Sequence, residues 1–133
     1  ARAAAHVHGI EIQEAAIVAA RENARRNGIA NVDFLTGDVR RLLKETLASP
    51  GPPPAPAVVL VDPPRAGMAR QALQRAAALA ADRFVYVSCN PATLAGNGAE
   101  LHELGYRLVR VAPVDMFPQT HHVETVALFV REE

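Results

Sequence analysis

The strongest constraint on how this chain folds is an alternation. Short β-prone apolar runs take turns with stretches whose apolar residues recur every three or four positions. Residues 57–61 (AVVLV) and 84–88 (FVYVS) are nearly all apolar, the pattern of strands buried on both faces of a sheet. Residues 7–12 (VHGIEI) and 32–35 (VDFL) read as two further strands. Between strands, residues 13–27 set Ala16, Ile17, Ala20 and Ala24 at helical spacing and stop at Gly28, a glycine cap. Helices are likewise predicted over 39–47, 68–81 and 92–104, the last stopped by Gly105. Residues 106–114 and 123–130 are then two strands in succession, joined by the loop 115–122.

Strictly alternating strands and helices imply a mostly parallel sheet with helices on both faces, an α/β fold. The closing strand pair has no helix between its members, so the last strand is expected to run antiparallel. Residues 49–56 (SPGPPPAP) fit neither helix nor central strand and read as an exposed loop.

Composition narrows the function. A chain of 133 residues is the size of one domain. Its 14 Lys and Arg balance 14 Asp and Glu, whereas a domain gripping RNA through phosphates is expected to be basic. Any affinity for nucleic acid is therefore local or lies elsewhere. The single cysteine excludes an internal disulfide. No apolar run approaches the roughly 20 residues of a membrane span. These features predict a soluble, cytoplasmic protein that meets no membrane. Residues 1–5 read as the tail of a helix, so the chain reads as part of something longer.

In an open α/β sheet, ligands bind at the carboxyl ends of the strands. Glu11, Asp38, Asp62 and Cys89 each sit at or just past such an end. Glu11 is placed to accept the hydroxyls of a nucleoside ribose, and equally to favour the dipole of the following helix. Asp38 suits an adenine amino group, though Asp after Gly is commonly a helix N-cap. Asp62-Pro63-Pro64-Arg65 is more specific. Two prolines after a buried strand make a rigid, extended turn that holds a carboxylate beside a planar base. Cys89 stands at the next strand's end, just before a helix whose dipole favours a thiolate. A lone cysteine is more often inert, but this one neighbours the DPPR turn. Glu124 follows His121 and His122 in a proline-bounded loop. The two histidines lack an acidic or thiol partner at metal-site spacing, so no metal is expected.

These stretches together resemble the RNA 5-methyluridine methyltransferase family, which acts on uracils of tRNA and ribosomal RNA. The resemblance runs through Gly9-Ile10-Glu11, Asn31-Val32 to Gly37-Asp38, and Asp62-Pro63-Pro64-Arg65-Ala66-Gly67. It continues through Tyr86 to Leu94 (YVSCNPATL) and Asp115 to Glu124 (DMFPQTHHVE). It implies a Rossmann-like class I methyltransferase fold and S-adenosylmethionine as methyl donor. Cys89 then matches the family's nucleophile and Glu124 its proton acceptor, while Glu11, Asp38 and Asp62 match positions that contact the donor. The implied chemistry is methyl transfer to carbon 5 of a uridine through a covalent cysteine adduct. Gln119 and Arg65 are candidate donors to the uracil carbonyls, and the target base must leave its stack.

The departures from the family also carry expectations. Nothing before Val7 supplies the family's first strand and Gly-rich loop, nor its amino-terminal RNA-binding part or an iron–sulfur cluster. Residues 1–133 are thus expected to be the C-terminal part of a methyltransferase domain, with the missing strand belonging between those ending at Glu11 and Asp62. Such a piece is expected to bind S-adenosylmethionine weakly, to methylate nothing alone, and to dimerise through exposed strand edges. Two rival readings remain open from the residues. One is a non-catalytic nucleotide- or RNA-binding module; the other is an amino-group methyltransferase that uses the DPP turn and leaves Cys89 incidental.

Overall fold

The computed structural model describes residues 1–51 and 55–132. Part of the proline-rich loop, Pro52 to Pro54, lies outside the described residues. The predicted order of elements is found throughout, in two compact units, Ala1–Thr46 and Leu47–Glu133.

In the first unit, β1 (Val7–Glu11) pairs in parallel with β2 (Val32–Thr36), and α1 (Glu14–Arg26) connects them. The end of α1 is a Schellman motif. Ile29 N donates to Ala24 O at 2.9 Å, Gly28 N donates to Arg25 O at 3.2 Å, and Gly28 takes φ +63°. Residues 1–5 form turns and not the tail of a helix, with a single bond from Ala4 N to Ala1 O. The Asn31 side-chain nitrogen reaches the carbonyls of Ala1, Ala4 and Ala5 at 2.9, 2.7 and 3.3 Å, which holds this segment in a turn. Helix α2 (Val39–Ala48) begins in this unit and leads into the second.

The second unit contains β3 (Val58–Val61), α3 (Arg70–Ala77), β4 (Arg83–Ser88), α4 (Pro91–Glu103), β5 (Tyr106–Val114) and β6 (Glu124–Arg131). Its sheet has the order β3-β4-β6-β5. β3 and β4 are parallel, and β6 runs antiparallel to both neighbours, as the missing final helix implies. β1 and β3 belong to separate sheets.

Helices α3 and α4 pack together and cover one face. The core beneath them holds Ala72, Leu73, Ala76, Leu94 and Leu101 from the helices, with Phe84, Tyr86, Ala127 and Phe129 from the strands. Their period-two spacing marks that face. Register extends it to Val59 and Val61, opposite Phe84 and Tyr86. The other face carries Val58 and Leu60, which remain 44% and 66% exposed. β3 is thus not buried on both faces as its composition predicts. It is an edge strand of this sheet, and the two helices of its unit share the opposite side.

Helix α3 is also shorter than predicted. Met68 spends its backbone N–H on the Asn97 side chain at 2.8 Å, outside any helix. At the other end Ala80 takes φ +56°, which no helix interior accommodates. No helix among the described residues is long and apolar enough to cross a membrane.

The chain's two tyrosines, Tyr86 and Tyr106, are both buried in the second unit. Burial raises both phenol pKa values above the ordinary tyrosine value of about 10. The unfolded chain therefore ionises them first. Their contribution to stability is complete below about pH 10 and is lost as pH rises through the raised native values. A spectrophotometric titration is expected to show native tyrosinate appearing at higher pH than in urea, together with loss of the folded signal. Coincident native and unfolded curves would contradict this.

Candidate active site

The first unit presents two of the sequence-identified carboxylates at one end of its strands. Glu11 and Thr36 are register partners at the ends of β1 and β2, and Gly37 N donates to Glu11 O at 2.9 Å. The Glu11 side chain accepts from Gln13 N at 2.7 Å, bracing the turn into α1. Asp38 caps α2, accepting from Arg41 N at 3.1 Å, and pairs with Arg40 at 3.0 Å. Its pKa lies below the usual carboxylate range, chiefly through the Arg40 side chain and then the Arg41 backbone. The N-cap foreseen for Asp38 is therefore realised, while Glu11 holds the backbone just ahead of α1. Clefts in this unit open instead around Arg21, Val32 and Phe34, so Glu11 and Asp38 stand on an open rim.

In the second unit, Asp62 is exposed just past the end of β3, and Cys89 is half-buried just past the end of β4. Each turn is fixed by hydrogen bonds. The buried Ser88 hydroxyl donates to Asn90 O at 2.9 Å and accepts from Asn90 N at 3.1 Å, folding the chain tightly around Cys89. Asn90 caps α4 through Ala92 N at 3.1 Å, with Pro91 in the first turn, where a missing N–H costs nothing.

The two turns are also tied to each other. Asn90 Nδ2 donates to Arg65 O at 3.3 Å. The Thr93 hydroxyl lies 3.2 Å from Arg65 O and 3.0 Å from Asn90 O. Beyond them Asn97, a buried amide on α4, clamps the end of the DPPRAG loop. Its Oδ1 accepts from Met68 N at 2.8 Å and from Tyr86 OH at 2.7 Å, while Nδ2 donates to Met68 O at 3.2 Å. Gly67 is required beside it. Its φ is +77°, and a Cβ there would stand 2.7 Å from Asn97 Oδ1.

Glu124 arrives from the opposite direction. Ser88 and Thr125 are the last registered pair of β4 and β6. One further step along each strand leads to Cys89 and to Glu124, which begins β6 and is half-buried. Before it, the loop turns at Pro118 and Gln119. Thr120 N donates to Phe117 O at 3.2 Å and Gln119 takes φ +66°, the pattern of a type II turn. The third residue of such a turn is usually glycine, so Gln119 is strained. Arg65 reaches from the DPPR turn to His122 Nδ1 at 3.4 Å, and Phe117 packs edge-on to the same ring.

The tRNA (uracil-5-)methyltransferase family matches residues 55–132, more than half of the chain. The chain belongs to this family. A general methyltransferase domain family matches residues 1–50. An uncharacterised RNA methyltransferase from Streptococcus pyogenes is 46% identical over 126 residues, covering 95% of this chain and 27% of that protein. Another, from Chlorobaculum tepidum, is 46% identical over 127 residues, with 94% and 26% covered. The tRNA (uracil-54, C5)-methyltransferase of Pyrococcus abyssi, solved with S-adenosyl-L-homocysteine, superposes with a TM-score of 0.74 at 35% identity, covering 94% of this chain and 28% of that one. The fold is that of the class I methyltransferases, and the chain spans about a quarter of the length of these relatives.

The sequence reading missed the positioning residues Asn97, Tyr86 and Gly67. One signal was available. Asn90, Thr93 and Asn97 follow at spacings of three and four, a polar stripe along the helix predicted over 92–104.

Replacing Asn97→Ala strands Met68 O and leaves the Tyr86 hydroxyl and Met68 N–H only their mutual contact at 3.3 Å, and is expected to lower stability by about 1–3 kcal/mol. Gly67→Ala is expected to cost about 2 kcal/mol through strain and the Asn97 contact. Denaturant titration of the double variant should give less than the sum, since the contact is then gone. Strict additivity would refute the clamp. At the other turn, Gln119→Gly relieves the left-handed strain and is expected to raise stability by about 0.5–1 kcal/mol in the same measurement. A loss would mean that the Gln119 side chain holds the loop.

Proposed function

We propose that this chain carries the catalytic part of an S-adenosylmethionine-dependent RNA (uracil-5-)methyltransferase, with residues 1–133 forming the C-terminal part of the methyltransferase domain. The observation that carries this reading is the register of β4 and β6, which delivers Cys89 and Glu124 to one end of adjacent antiparallel strands. Family membership and the uracil-5 activity named for the Pyrococcus abyssi protein supply the chemistry.

Uracil carbon 5 is too weak a nucleophile to take a methyl group unaided. The Cys89 thiolate attacks carbon 6, forming an S–C6 bond and pushing the C5=C6 electrons onto the carbonyl at carbon 4. Arg65 and Gln119 are candidate donors to the resulting enolate. Its carbon 5 then carries the electron pair that forms the new bond to the methyl group. When bound, S-adenosylmethionine would supply that methyl as an electrophile, the electrons of its broken S–CH3 bond staying on sulfur as S-adenosylhomocysteine leaves. The Glu124 carboxylate then takes the carbon 5 proton. The C–H electrons restore C5=C6 and expel Cys89 as thiolate.

The donor fits the chemistry of Glu11, Asp38 and Asp62, three acceptors suited to a diol, an amino group and an ammonium. Glu11 is assigned to the ribose, Asp38 to the adenine amino group, and Asp62 to the donor beside the target base. The RNA substrate is a tRNA or ribosomal RNA uridine, and with the balanced charge of this chain its phosphate contacts are local or lie elsewhere in the protein. The cytoplasm, where such RNA is found, is the expected compartment.

In the full-length protein, Cys89→Ala is expected to lower methylation by about 10⁴-fold or more and to abolish covalent adducts with 5-fluorouridine RNA. Glu124→Gln is expected to slow turnover by about 10²–10⁴-fold while an RNA-linked species accumulates on a denaturing gel. Undiminished methylation by Cys89→Ala would overturn the mechanism in favour of an amino-group enzyme.

A further inference from the structure

Away from the rim, the first unit gathers a second group of side chains that methyl transfer does not use. We propose that His6, His8 and Asp33 form a binding site for a divalent transition-metal ion of the zinc, nickel or copper type. This inference does not rest on the methyltransferase reading.

The backbone creates the grouping. His6 and His8 are two apart on extended chain and point to one side of the sheet, while Asp33 is the register partner of His8 on β2. His6 Nε2 lies 2.7 Å from Asp33 Oδ2, and His8 Nδ1 lies 3.8 Å from the same oxygen. The two imidazole rings are 4.6 Å apart between centroids. One ligand atom from each residue falls within 4.8 Å of the other two, a grouping of metal-binding side chains not repeated among the described residues. Metal bonds of about 2.0–2.2 Å place ligand atoms roughly 3–4 Å apart around one ion, so small side-chain rotations complete the site.

An ordinary surface ion pair accounts for only part of this. The His6–Asp33 bond needs one histidine, yet a second ring is aimed at the same carboxylate oxygen. A shared cation satisfies both rings and the carboxylate at once. Two imidazoles with one carboxylate favour a borderline metal over magnesium or calcium, which prefer all-oxygen shells. Three protein ligands leave a coordination position for water or a further ligand. The site is open to solvent, with His8 and Asp33 also bordering a shallow cleft beside Arg21 and Leu35. It stands at the start of β1, whereas Glu11 ends that strand.

The test is calorimetric titration of the metal-free 133-residue chain with zinc, nickel and copper(II) salts, with magnesium as control. One ion per chain is expected, with copper(II) tightest and no heat from magnesium. His6→Ala, His8→Ala and Asp33→Asn are each expected to weaken binding by at least about tenfold. A His121→Ala/His122→Ala double variant is expected to bind as the parent does. In NMR spectra, substoichiometric copper(II) should broaden the resonances of His6, His8 and Asp33 first, which reads the site without any substitution. The proposal is overturned by absence of zinc, nickel and copper binding, by binding that survives His6→Ala/His8→Ala, or by broadening centred on His121 and His122.

Discussion

The ladder between β4 and β6 is the pairing on which the candidate active site depends. It runs from Arg83 opposite Val130 to Ser88 opposite Thr125, and its register is not free to slip. Side chains alternate faces along a strand, so a shift of one residue would turn out of the core either Phe84 and Tyr86 or Ala127 and Phe129, whichever strand moved. All four are at most 2% exposed. Gly98 on α4 tightens the constraint, since a Cβ there would lie 3.3 Å from Phe129. The apolar core therefore determines which residues leave the ladder at its end, and those residues are Cys89 and Glu124. Hydrophobic packing, which has no directional chemistry of its own, fixes the placement of the two residues proposed as nucleophile and proton acceptor.

The turns beyond the ladder are held differently, by polar groups in buried or half-buried places. An unsatisfied buried donor costs more than a formed bond returns, so such a network is stable only when complete. Asn97 meets that condition at both the oxygen and the nitrogen of its amide. One oxygen serves both Met68 N and Tyr86 OH, and the nitrogen serves Met68 O. Thr93 and Asn90, one and two turns earlier on the same stripe, hold Arg65 O. A single helix face thus fastens the DPPR turn alongside the cysteine turn. The strained Gln119 turn joins this frame through Arg65 and His122.

The alternation of strands and helices was legible because its period is a property of local sequence. The antiparallel last strand was legible for the same reason, since two strands without a crossover helix can pair only by reversing. Burial was less so. The AVVLV run records an apolar strand, but composition does not say which of its faces is covered or whether the strand stands at an edge. Helix α3 was overextended because alanine propensity runs on past Ala77, while its real limits come from Asn97 at one end and the backbone of Ala80 at the other. Of the site, the residues with reactive side chains stood out and those that merely hold a turn did not. Asn97 lies 29 residues from the Met68 backbone it binds, and no local pattern links the two. His6, His8 and Asp33 share this property: nothing in the sequence predicts that they meet until β1 and β2 are in register.

A carboxylate that braces the fold is also able to serve a ligand, the second role proposed for Glu11 and Asp38. Asp38 uses Oδ1 to cap α2 and contacts Arg40 mainly through Oδ2, while Glu11 uses Oε1 on Gln13 N. An ionised carboxylate offers about four lone-pair sites, so each residue retains acceptor capacity after these bonds are made. Those bonds also fix where the remaining lone pairs point. A long, exposed side chain such as glutamate would otherwise lose rotamer freedom on meeting a ligand, at a cost of about 1–2 kcal/mol. Here part of that ordering is already imposed by the turn, so the structural bond lowers the entropic cost of the binding one. The bracing bond of Glu11 and the capping bond of Asp38 are therefore compatible with the donor-binding roles proposed for these residues.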